Sequence, residues 1–330
     1  MEDKIKEILQ SIRDPETGKS IQGQVKSISG QESNWTVTVG LTSFAAPLKE
    51  DFRQQILQAL TAAAPQQNFN VEIVDHHRPV TPMGTLGLTA KAAIAVAAGK
   101  GGVGKSTAAV SLALALHQAG CRVGILDADV YGPSVPQLTG VRGQVMREEG
   151  RLVPLDYQGI PLMSIGFVVP PGEAIIWRGP MLHKYTEMFL GHTAWGDLDY
   201  LIIDMPPGTG DVALSLSQMI PLTGSVIVCT PQEVALIDAI KAVGMFRKVK
   251  IPVIGLIENM SSFICPDNGK RYDIFGKGGA REYAAQDNIP FLGEIPINIQ
   301  LRERGDQGKM SENFFDPEIA PYLEQVAFQL

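Results

Sequence analysis

The sequence predicts an α/β protein: a mostly parallel sheet flanked by helices, preceded by a small α/β domain. Three observations carry this reading. Beyond Ala92, short apolar runs alternate with longer helical patterns, as expected of strands buried on both faces of a parallel sheet. The first of those runs leads directly into a glycine-rich turn and then a helix-forming stretch. Before residue 80 the pattern differs, with period-two alternation on either side of a four-residue spacing. A chain of 330 residues, 45% of them apolar, has length for two domains and apolar surface for a core in each.

Taken in order, Ile5, Ile8, Leu9 and Ile12 recur at helical spacing, so a short amphipathic helix opens the chain, and DPETGKS supplies the turn chemistry after it. Trp35, Val37, Val39 and Leu41 alternate with polar neighbours, as do Phe69, Val71 and Ile73, while Leu48, Phe52, Ile56 and Leu60 recur every four residues between them. The expected order is helix, strand, strand, helix, strand, forming a domain over 1–78. HHRPVTPMGTLGLT, with two prolines, two glycines and little periodicity, predicts a linker over 79–91. In the remainder, 92–330, the predicted strands are AAIAVAA, RVGILD, YLIID, GSVIVCT and PVIGLIE, each followed by a candidate helix. PLMSIGF reads as a further strand and MLHKYTEMFLGH as a further helix.

Charge and composition exclude several roles. Lys and Arg number 28 against 35 Asp and Glu, a net charge of −7, so the basic footprint of a nucleic-acid partner is absent. The C-terminal NFFDPEIAPYLEQVAFQL carries acids and no Lys or Arg, contrary to a basic membrane anchor. The opening MEDKIKEILQ lacks an apolar leader core. Three cysteines, Cys121, Cys229 and Cys265, make no disulfide framework. A cytoplasmic protein without nucleic-acid or membrane partners is the expectation.

The strongest motif is Gly99-Lys100-Gly101-Gly102-Val103-Gly104-Lys105-Ser106-Thr107, directly after the strand AAIAVAA. Its spacing is that of a phosphate-binding loop. Glycines let successive N–H groups turn inward on phosphate oxygens, and the following helix adds its positive end. Lys105 is then placed for the β and γ phosphates of ATP and the Ser106 hydroxyl for Mg²⁺. Asp127, Asp129 and Asp204 fall at or just beyond strand ends, where ligands of open α/β sheets bind. A carboxylate in that position also serves as a helix cap, so spacing alone leaves both roles open.

KGGVGKST resembles the deviant Walker A motif of the MinD and ParA ATPases and their relatives. That resemblance implies an ATPase that works as a homodimer, with Lys100 reaching the partner's nucleotide. It also implies Asp204 as a magnesium-holding Walker B carboxylate, Asp127 as support for the metal, Asp129 as the residue orienting the attacking water, and Asn259 as a base contact. LDADVYGPSVP, WRGPM, IENMSSFICPDNG and DMPPGTGD together resemble the Mrp/ApbC family of iron-sulfur cluster carriers across 92–310. The front domain is similar to the small iron-sulfur assembly domain that precedes such ATPases. The family implies slow, ATP-dependent handling of an iron-sulfur cluster destined for apo client proteins, held between subunits by a Cys-x-x-Cys pair from each. Here Cys265 stands alone, because Asn268 occupies the second cysteine's position. A dimer then offers two thiolates where an ordinary four-iron cluster takes four, with Asp267 as a neighbouring oxygen donor. A nucleotide-switched interaction protein that has lost the cluster is the alternative.

Overall fold

Period-two alternation makes a strand that is buried on one face, and a four-residue spacing makes a helix stripe that covers it. The computed structural model describes residues 1–14, 20–41, 46–76, 82–84, 86–168, 179–208 and 222–329, and no side chain at 46–48, 75, 82 or 179–183. Most of DPETGKS, the tryptophan and arginine of WRGPM, and the end of DMPPGTGD lie outside these residues. The chain divides into two compact units, Met1–Pro79 and Val80–Leu330.

In the first unit, α1 (Glu2–Ser11) is followed by β1 (Val25–Gln31), β2 (Asn34–Leu41), α2 (Ala46–Ala63) and β3 (Asn68–Asp75). The sheet order is β1-β2-β3, with β1 antiparallel and β3 parallel to β2. Val37, Val39 and Val71 on the sheet meet Ile5 and Leu9 of α1 and Phe52, Ile56 and Leu60 of α2 in one core. Each fully buried side chain of this kind contributes about 1.5–3 kcal/mol.

The second unit opens with β4 (Pro82–Met83) and β5 (Leu88–Ala97), then α3 (Lys105–Gln118), β6 (Val123–Asp127) and the short α4 (Val135–Thr139). The hairpin β7 (Met146–Glu148) and β8 (Arg151–Val153) follows, with β9 (Leu155–Tyr157), β10 (Ile160–Ser164), α5 (Gly179–Gly191) and β11 (Leu198–Asp204). After them come β12 (Gly224–Cys229), α6 (Glu233–Lys248), β13 (Val253–Ile264), β14 (Arg271–Tyr272), α7 (Gly279–Gln286), β15 (Phe291–Ile297), α8 (Ile299–Asp306) and α9 (Ala320–Phe328). The large sheet runs β14-β13-β12-β5-β11-β6-β10-β9, with β15 on β13 and β4 on β5. Every pairing among β10, β6, β11, β5, β12, β13 and β15 is parallel. β6 and β12 are buried along their whole length, which is why they read as continuous apolar runs.

Two boundaries differ from the sequence reading. The central strand β5 starts at Leu88, inside the stretch read as linker, because Leu88 and Ala90 are already buried in the core. Strand β13 does not stop at Glu258 but continues to Ile264, so Asn259 lies within the strand and not beyond it. Met260, at φ 55°, disturbs the extended backbone there, and the polar Glu258, Asn259, Ser261 and Ser262 end the apolar run from which the strand is read.

At the end of the sheet opposite the glycine-rich loop, an ion cluster around one buried carboxylate ties three central strand starts together. Asp199, 1% exposed, lies 2.6 Å from the Lys91 ammonium and 3.2 Å from the Arg122 guanidinium, and accepts the Arg122 N–H at 2.8 Å. Burial opposes its ionisation, yet these donors hold it at about 2. The depressed value contributes stability above pH ~4 that is lost as pH falls toward ~2, about 2 kcal/mol in all. Asp199→Asn is expected to lose that amount at neutral pH, and urea unfolding should show the gap from wild type narrowing at about pH 3.

Candidate nucleotide site

The loop between β5 and α3 is shaped by two glycines in the left-handed region, Gly102 at φ 79° and Gly104 at φ 81°, the latter capping α3. Gly101 and Gly102 are exposed and Lys100 half-exposed, while Val103 is buried and anchors the loop. The loop is gripped from two sides. The Asn259 amide donates from β13 to the Val103 carbonyl at 2.8 Å, and Gly99 packs so closely on α6 that a Cβ there would overlap the Asp238 backbone.

Lys105 opens α3, and its ammonium, 7% exposed, points across the sheet end to Asp204 Oδ1 at 2.5 Å and to Asp129 Oδ2 at 3.8 Å. It also donates to the neighbouring Ser106 hydroxyl at 3.2 Å. Asp204 ends β11 and Asp127 ends β6, in register with each other. The three carboxylates are therefore brought together beside the loop, as the strand-end argument predicts. Burial raises all three from the ordinary aspartate value, Asp127 well above it. The Asp204 charge pushes Asp127 further up, while the Lys105 charge pulls against the rise at Asp129 and Asp204.

The carboxylates differ in what they have left to offer. Asp127 is spent on the protein: Oδ1 accepts the Asp129 N–H at 3.1 Å, and Oδ2 accepts the Val135 N–H at 3.3 Å and the Ser164 hydroxyl at 3.0 Å. Asp129 accepts the Gly132 N–H at 3.3 Å. Asp204 Oδ2, fully buried, has no partner among the described residues. A carboxylate oxygen without a partner beside a serine hydroxyl is a hard-oxygen donor set, and it suits Mg²⁺. Ser164 was not singled out in the sequence, since a hydroxyl at the end of an apolar run leaves no pattern.

Cys265 is half-exposed where β13 turns into β14. Its carbonyl accepts the Gly269 N–H at 2.8 Å, and the Asn268 side chain accepts the Lys270 N–H at 2.9 Å. Asn268 is thus a turn-forming residue. Among the described residues no group of three or more His, Cys, Asp and Glu is placed to hold a metal ion. Cys121 and Cys229 are buried, and burial, with a smaller push from Glu258, drives the Cys229 thiol up to about 12. No described helix is long and apolar enough to cross a membrane.

Comparison with known proteins follows the same lines. Residues 89–330 match the family described as the NUBPL iron-transfer P-loop NTPase, and residues 2–73 match the family described as iron-sulfur cluster assembly protein. The iron-sulfur cluster carrier protein of Deinococcus radiodurans is 43% identical over 336 residues, covering 100% of this chain and 92% of its own. That of Escherichia coli K12 is 46% identical over 263 residues, 79% of this chain and 71% of its own. A nucleotide-binding protein from Archaeoglobus fulgidus, solved in complex with ADP, is 42% identical with a TM-score of 0.62, covering 69% of this chain and 90% of its own. The MinD of an Aquifex aeolicus MinC:MinD cell division complex, 19% identical with a TM-score of 0.52 over 72% of this chain and 94% of its own, shares the fold. With most of its length matched and a relative aligned along all of it, the chain belongs to the family of NUBPL iron-transfer P-loop NTPases.

Proposed function

We propose that this chain is an ATP-hydrolysing carrier of iron-sulfur clusters that works as a homodimer in the cytoplasm and hands its cargo to apo client proteins. The observation that carries the reading is the convergence of Lys105, Ser106, Asp129 and Asp204 on one glycine-lined loop, in a member of an iron-transfer NTPase family. The ADP complex of the Archaeoglobus fulgidus relative supports an adenine nucleotide as the ligand.

Gly99 to Thr107 wrap the phosphates with backbone N–H groups. Lys105 exchanges its carboxylate partners for phosphate oxygens, so the buried ammonium passes from one set of anionic acceptors to another without losing its counter-charge. Ser106 and Asp204 would hold Mg²⁺, with Asp127 as the framework behind them, and the bound ion would supply neutralisation of charge developing on the phosphates. Asp129 orients the attacking water, and Asn259 holds the loop through Val103 beside the base. Lys100 serves the partner's nucleotide, so hydrolysis waits for two copies to close. Val234, Ile237 and Ile240, 63%, 47% and 40% exposed on α6, flank the loop through the Gly99 contact and support an apolar closing surface there.

The cargo is a substrate, and each chain offers it one accessible thiol, Cys265. Two copies supply two thiolates, so the remaining iron positions are completed by external thiols and the cluster is labile. A cargo-free nucleotide switch rests on Asn268 alone, and relatives named as carriers weigh against it. Anaerobic reconstitution with iron and sulfide is expected to produce visible charge-transfer absorption, lost in Cys265→Ser, and to activate an apo-enzyme. No bound iron or sulfide together with no activation overturns the cargo assignment.

A further inference from the structure

Ser164, Asp127 and Asp204 sit in register on three adjacent parallel strands, β10, β6 and β11. The sheet therefore delivers one hydroxyl and two carboxylates to a single row beside the phosphate loop. Ser164 is fully buried. Its Oγ donates to Asp127 Oδ2 at 3.0 Å and accepts the Gly166 N–H at 3.1 Å. Asp127 in turn accepts N–H groups from Asp129 and Val135, so the segment between β6 and α4 is suspended from one carboxylate at both ends. The turn Ile165–Phe167 backs the same segment, since a Cβ on Gly166 would stand 3.3 Å from Pro136 Cγ and 3.6 Å from Pro133 Cβ.

Resting on the reading that Asp129 orients the attacking water, we propose that Ser164 is a positioning residue for hydrolysis, acting through Asp127 to fix the segment that carries Asp129. The physical case is one of alternatives. Asp127 Oδ2 has two donors, of which Ser164 is the shorter. Without the hydroxyl, that oxygen keeps only the long bond from Val135, and the Gly166 N–H loses its acceptor. The carboxylate can then rotate, and the Asp129 backbone rotates with it. Displacement of a water-orienting group by about 1 Å costs on the order of 100-fold in rate. The phosphate loop is held separately by Asn259 and by α6, and Ser106 and Asp204 keep their own places on α3 and β11.

Steady-state hydrolysis by the full chain tests this. Ser164→Ala is expected to lower kcat by about 10- to 100-fold while KM for MgATP and the Kd for a non-hydrolysable ATP analogue stay near wild type; the thermal midpoint falls modestly, because two buried groups lose a hydrogen-bond partner. Ser164→Cys, of similar shape but with a weak donor, should fall between the two. In an Asp129→Asn background, read by single-turnover assay, Ser164→Ala should lower the residual rate no further. A wild-type kcat in Ser164→Ala overturns the inference. So does a loss in which KM moves with kcat, or one that multiplies fully with Asp129→Asn. Absence of hydrolysis in the wild-type protein overturns the ATPase reading itself, a separate result.

Discussion

Replacing Lys105 by alanine is expected to reduce ATP hydrolysis by about 1,000-fold or more, the scale of removing a donor aimed at transition-state charge. The same change leaves Asp204 and Asp129 buried beside each other without their cation, so the thermal midpoint should fall as well; breaking a buried pair from one side costs about 3–5 kcal/mol. Lys100→Ala separates the two roles. Lys100 is half-exposed, so its loss should leave the fold and the binding of one MgATP per chain in place. Hydrolysis should still drop by about 10³- to 10⁵-fold, the range for a cation supplied in trans. Calorimetry and phosphate release on both variants decide the matter. Wild-type turnover by Lys100→Ala would remove the second copy from the chemistry.

Gly104→Ala is expected to have the next largest effect. At φ 81° a side chain is strained by roughly 1–2 kcal/mol, and the new Cβ would overlap the Asn259 amide nitrogen, displacing the bond that Asn259 makes to the Val103 carbonyl. A lost hydrogen bond adds about 1 kcal/mol. Together they predict about a 100-fold weaker Kd for MgATP. Gly244→Ala, inside α6 with open space around its Cβ, is the control and should leave affinity unchanged. Titration calorimetry on the pair separates loop geometry from a general intolerance of alanine.

The nucleotide loop was legible because its chemistry is local. Glycines at fixed offsets, a lysine and a hydroxyl follow one another within nine residues, and the strand before them is a continuous apolar run. The carboxylates at strand ends were legible for a topological reason, since a parallel sheet brings all its carboxyl ends to one side. What each carboxylate does was not. Asp127 and Asp204 look alike in sequence, yet one is consumed by three protein donors and the other keeps a bare oxygen. Family resemblance implies Asn259 at the base; its amide also reaches the Val103 carbonyl, a contact across 156 residues that no spacing encodes. Strand β15 escaped for a simpler reason: Gly293 and Pro296 interrupt its apolar run, while pairing with β13 supplies the order that propensity withholds.

The turn at Asn268 sets a structural cost on any substitution that would add a thiol beside Cys265. Its side chain is the clamp that closes a tight reversal, with Gly269 at φ 67° completing it. Grafting a thiol onto that position would add a soft donor and remove the clamp in the same stroke, because sulfur is a weak acceptor for the Lys270 N–H. A second sulfur beside Cys265 would therefore come with a looser turn.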